Sequence, residues 1–134
     1  MNSGSSDDQA HPHDEQRQRP TAQIDLTPEF QRNLRTLAKR YRSIRSDLQE
    51  VTQSLEMGSL IGDRMTGVGE GYIVFKVRVR NRDIQKGKSA GYRLIYQVES
   101  PTCLLLLTIY SKSDRSDISV DEVREILDAF YSGT

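Results

Sequence analysis

The chain has 134 residues, 19 basic and 19 acidic side chains, 35% hydrophobic residues and one cysteine. That length supports one domain with a modest core, and no run approaches the ~18 consecutive apolar residues of a membrane helix. A single cysteine, Cys103, excludes an internal disulfide and a cysteine-based zinc cluster.

Residues 1–22 are rich in Ser, Asp, Gln and Pro and hold both histidines, a composition that reads as a disordered tail before a domain at 23–134. The tail has no apolar segment of the kind a secretory signal needs, so a cytoplasmic protein is expected. His11 and His13 form an HPH motif with no third ligand nearby, and neither a metal nor a cofactor is expected. Ile24-Asp25-Leu26 alternates like a short strand. Thr27-Pro28-Glu29 opens a helix, with Thr as N-cap, Pro at the first position and an acid in the first turn. Phe30, Leu34, Leu37, Ala38 and Tyr41 line one face of that helix, and Ile44, Leu48, Val51 and Leu55 repeat the pattern up to Gly58. The two should form an αα-hairpin, and residues 60–70 read as a glycine-punctuated loop.

The second half changes period. Tyr72–Arg82, Gly91–Val98 and Cys103–Lys112 have strand lengths and composition, with turn residues at Lys86-Gly87 and Ser100-Pro101. A three-stranded antiparallel meander follows, with Cys103 as a small buried hydrophobe. Ser119-Val120-Asp121-Glu122 is a capping box, opening a last helix whose apolar face is Val123, Ile126, Leu127 and Phe130. The expected fold is α+β in the order βααβββα, a small antiparallel sheet with the helices on one side.

Charge is balanced overall but not locally. Seven bases lie between Lys76 and Arg93, with Asp83 the only acid among them. Period-two geometry sends Phe75, Val77 and Val79 toward the helices, and Lys76, Arg78, Arg80 and Arg82 outward. A solvated face normally mixes signs. A single-sign row repels itself unless an anion relieves it, which points to a polyanion and, in a cell, to nucleic acid.

The segments Lys76–Arg80, Ser89–Val98 (SAGYRLIYQV) and Leu107–Lys112 (LTIYSK) resemble the RelE/ParE superfamily of toxins from type II toxin–antitoxin pairs, most nearly its RelE-like, HigB-type branch. The likeness spans roughly residues 23–130. It implies a ribosome-dependent mRNA endoribonuclease that needs no metal and cleaves mRNA in the ribosomal A site. There a 2′-hydroxyl attacks the adjacent phosphate, which requires proton removal, charge stabilisation and protonation of the leaving oxygen.

Carried onto this chain, the resemblance makes Lys76, Arg78, Arg93, Tyr110 and Lys112 the catalytic candidates. Arg93, of the GYR motif, would brace phosphate oxygens through paired donors. Lys76 would serve as general base or charge clamp, and Tyr110 would stack on a base or move a proton. Arg80, Lys86, Lys88 and Arg115 would hold flanking RNA. Tyr92 and Tyr96 lie on the opposite face from Arg93 and belong to the core.

Two positions depart from the family pattern. Ser113 stands where some relatives have Arg, with Arg115 as its candidate replacement. Ser119 stands where they have Tyr, with Tyr110 as the candidate there. Two other functions remain open: a ParE-like gyrase inhibitor, and a non-catalytic relative that binds RNA or an antitoxin. The resemblance also implies a cognate antitoxin. If that protein covers Lys76–Arg93, its affinity should fall steeply with ionic strength, whereas weak salt dependence would place it elsewhere.

Overall fold

A computed structural model describes residues 21–84 and 91–133. The expected tail up to residue 20, and Lys86, Gly87 and Lys88, lie outside the described residues. The elements are β1 (Gln23–Leu26), α1 (Pro28–Arg40), α2 (Ile44–Glu56), β2 (Asp63–Met65), β3 (Val74–Val79), β4 (Tyr92–Ser100), β5 (Cys103–Ser111) and α3 (Val120–Ser132). The fold is α+β, as expected.

Helix starts follow the local chemistry. Thr27 Oγ1 accepts the Phe30 N–H at 2.9 Å and donates to the Leu107 carbonyl at 2.7 Å, so the cap that opens α1 also ties it to β5. Ser119 forms the expected capping box with Glu122 at the start of α3. Its serine is therefore accounted for by helix initiation.

The sheet is larger and more mixed than a meander. Its strand order is β1-β5-β4-β3-β2, with β1 parallel to β5 and every other pair antiparallel. The parallel pair is joined by a long connection that runs through the αα-hairpin and then β2, β3 and β4. β2 falls in the stretch expected to be a loop, because three residues, Asp63-Arg64-Met65, are too few to show a period.

The helices also divide between two faces, in contrast to the one-sided packing expected. Phe30, Leu37, Ile44, Leu48 and Leu55 of α1 and α2 pack with Val77, Val79, Tyr92, Leu94, Tyr96, Leu104 and Leu106. Val123 and Leu127 of α3 pack with Val74, Ile95, Leu105, Leu107 and Tyr110 on the opposite face. The reason is the unbroken run Leu104–Leu107. Alternate residues of a strand face opposite ways, so four consecutive leucines need cover on both sides.

A bulge interrupts this strand. Ile95 pairs with Thr108 and Tyr96 with Leu106, leaving Leu107 as the extra residue. Leu105 and Leu107 face α3 before it, and Tyr110 does so after it, while Ile109 turns to the hairpin. Thr108 accepts from Asn33 Nδ2 of α1 at 2.8 Å.

Tyr92 and Tyr96 are fully buried, as expected. Cys103 is not the buried hydrophobe expected. It is half-buried at the β1–β5 edge, and its thiol donates to Glu99 at 3.2 Å and to Asp25 at 3.5 Å. Burial, followed by these two carboxylates, pushes the thiol up to about 12.

Gly91 begins the turn into β4 at φ +140°, and a Cβ there would stand 2.8 Å from the Val79 carbonyl oxygen. Replacing Gly91 with Ala should therefore cost about 1–3 kcal/mol of stability. The effect would appear as a lower urea midpoint with an unchanged denaturant slope.

Candidate anion-binding cleft

Because α3 covers only part of its face, the remainder stays open beside the ends of β3, β4 and β5. A cleft of about 220 Å³ lies there. Lys76 and Arg78 of β3, Arg93 of β4, and Tyr110 and Lys112 from the end of β5 line it. Asp63 of β2 and Ser116 and Asp117 of the β5–α3 loop complete the wall. All five catalytic candidates from the sequence thus converge in one place. Register explains the floor: Arg78 pairs with Arg93, which pairs with Tyr110.

Arg93 is the unusual member. It is only 9% exposed, and its Nη1 donates to the Tyr92 carbonyl at 3.1 Å. Arg78, Arg93 and Lys112 form no ion pair among the described residues. A buried guanidinium without a carboxylate is costly, and an incoming anion offsets that cost.

The cleft's rim is compensated where its floor is not. Lys76 Nζ meets Asp117 Oδ1 at 2.8 Å, and Asp63 stands opposite Lys76 in the β2–β3 register. The Asp117 carboxyl lies below the usual carboxylate range, first because of the Lys76 hydrogen bond and then because of the Ile118 N–H. Tyr110 Oη is 3.5 Å from the same Oδ1. Its phenol is raised by burial and by Asp117, against the opposing pull of Arg93 and Arg115.

Of the expected RNA-holding residues, Arg80 and Arg115 are not among those that line the cleft. Arg80 is exposed, one residue past the end of β3, and Lys86 and Lys88 fall outside the described residues. Arg82, placed by periodicity in the basic row, instead pairs with Asp47 and Glu50 of α2, since the strand has already ended. Arg115 lies over the Tyr110 ring at 5.3 Å and binds Glu122 at 2.6 Å. It braces Tyr110 and the start of α3. Ser113 and Ser111 are hydrogen-bonded through their hydroxyls at 2.9 Å beside the strand end.

Three lining residues carry no signal in the sequence: Asp63, Ser116 and Asp117. Asp63 sits on a strand too short to be recognised. Ser116 and Asp117 belong to a polar loop whose direction depends on anchors at both ends. A larger groove of about 600 Å³ lies between the start of α1 and α3, with Glu29, Arg32, Glu122 and Glu125 among its walls. Its one arginine is paired with Glu29 at 3.0 Å, so the groove lacks the cleft's convergence of free cations.

With its folded value below its unfolded one, Asp117 adds stability above the unfolded value and loses that contribution as pH falls through the folded value. The side chain is 63% exposed, so solvent screening limits the effect to below about 1 kcal/mol. Asp117→Asn should lower the urea midpoint slightly at neutral pH and leave no difference from wild type below the folded value.

No curated protein matches the sequence. A family model described as the ParE toxin of the type II toxin–antitoxin system parDE matches residues 24–115. That span contains Lys76, Arg78, Arg93, Tyr110 and Lys112 and ends two residues before Asp117. Membership implies an antitoxin partner, and no helix among the described residues is long and apolar enough to cross a membrane. The sheet, the hairpin and this match together make the chain a member of the RelE/ParE superfamily of type II toxins.

Proposed function

We propose that the protein is the toxin that cuts mRNA on the ribosome, as a metal-independent endoribonuclease. The observation that carries this reading is Arg93, a buried guanidinium with no carboxylate partner among the described residues, at the floor of a cleft whose other cations are Lys76, Arg78 and Lys112. In the reaction the 2′-hydroxyl gives up its proton to solvent water as the O2′–P bond forms and the P–O5′ bond breaks, and the departing 5′ oxygen takes up a proton, leaving a 2′,3′-cyclic phosphate and a free 5′-hydroxyl.

Arg93 and Arg78 brace the non-bridging oxygens, and Lys76 and Lys112 stabilise the additional charge on phosphorus. Lys76 acts as charge clamp, because its ammonium is already held by a carboxylate. Tyr110 keeps its proton at neutral pH and is positioned to give it to the departing 5′ oxygen. Arg80 contacts flanking RNA, with Lys86 and Lys88 in the same role, and Arg115 acts through its contact with Tyr110. The messenger in the ribosomal A site and the ribosome itself are the partners, with the cytoplasm as the place of action.

A second reading is favoured by one observation: the matching family model is that of ParE. On that reading the chain inhibits gyrase, and the cleft binds without cutting.

Mapping mRNA 5′ ends after brief induction in a bacterial host separates the two. The nuclease reading expects new in-frame ends, reduced at least about a hundredfold by Arg93→Ala. Arg93→Lys, which keeps the charge and loses the paired donors, should also fall well below wild type. Supercoiling defects without new ends would instead support gyrase inhibition.

A further inference from the structure

We propose that Asp117 is a tethered substitute for the substrate phosphate, standing at the anion position of the cleft and giving way when RNA enters. The proposal rests on the ribonuclease reading and adds to it a built-in competitor for the cleft.

Asp117 Oδ1 receives the donor set that a phosphate oxygen would need. Lys76 Nζ lies at 2.8 Å, the Ile118 N–H at 2.8 Å and Tyr110 Oη at 3.5 Å. An ammonium, a main-chain amide and a phenol on one oxygen is an oxyanion-binding arrangement. The loop aims the carboxylate there. Ile118 is buried against α3, and Arg115 Nε donates to the Asp117 carbonyl at 2.9 Å, so the backbone on both sides is anchored.

Charge placement separates a competitor from a plain structural ion pair. Neutralisation is most valuable where burial is deepest, at Arg93. The acid instead sits on the more exposed Lys76, in a pair whose side chains are 29% and 63% exposed. Solvent-facing pairs hold weakly and exchange readily. Asp63, opposite Lys76 in register, adds further negative charge on that side. The arrangement keeps the floor cations free for a phosphate and guards the entrance with an anion that a phosphate can replace. Weakly bound anions are thereby disfavoured, while a ligand reaching both Arg93 and Lys76 is not.

The test is a binding titration of the full chain with a 2′-deoxy oligonucleotide, which lacks the attacking hydroxyl and stays intact. Asp117→Asn should tighten binding about two- to fivefold, and Asp117→Glu should remain near wild type. In a Lys76→Met background the gain should largely disappear, because the competition is for Lys76. Weaker or unchanged binding by a folded Asp117→Asn protein, or a gain that persists without Lys76, would overturn the proposal. Thermal melts establish folding of each variant. If the wild type binds no oligonucleotide, the RNA reading fails on its own, and the same variants titrated with tripolyphosphate still decide the exchange: a gain supports it and no gain refutes it.

Discussion

Strand β5 buries side chains on both of its faces, and most of the molecule follows from meeting that demand. Four consecutive leucines leave no face for water, so the sheet must be covered twice. The αα-hairpin covers one side, entering through β1, which runs parallel to β5 along its other edge. The C-terminal helix covers the second side for only part of its length. What that helix leaves bare is the cleft. The candidate site is thus the remainder of an incomplete second layer, floored by a well-packed sheet.

Such a floor is suited to holding charge in place. Arg93 emerges from a strand whose neighbours Tyr92, Leu94, Ile95 and Tyr96 are all fully buried. Its guanidinium therefore gives up little further entropy on meeting a ligand, and its poor local pairing becomes affinity for an anion. The loop side differs. It is polar, anchored through Arg115 and Ile118, and carries Asp117, the acid paired with Lys76. A rigid cationic floor thus stands beside a polar wall within one small fold.

Much of this is legible in the sequence because local rules apply locally. Thr27-Pro28 and the Ser119–Glu122 box mark helix starts, and alternation in Phe75–Val79 assigns Lys76 and Arg78 to one face and the valines to the other. The illegible parts are those decided at a distance. The side on which α3 packs depends on how the Leu104–Leu107 run is shared between layers, and an apolar run reads as a strand whichever layers cover it. Periodicity also assumes that a strand continues. The end of β3 at Val79 frees Arg82 to pair with Asp47 and Glu50. The carboxylates of the cleft come from a three-residue strand and a loop, where no period exists to read. Family likeness locates the cations well, and it cannot indicate that Lys76 shares its ammonium with Asp117.

The hydroxyl of Thr27 reaches further than a helix cap ordinarily does. Its acceptor is the carbonyl of Leu107, the extra residue whose insertion turns Tyr110 toward the cleft. One side chain therefore joins the first turn of the first helix to the point where β5 changes which residues it shows to each layer. Damage at this distant, buried threonine would be felt at the anion site, although the threonine itself lies outside the cleft. A variant there would disturb the cleft while leaving every residue that lines it unchanged.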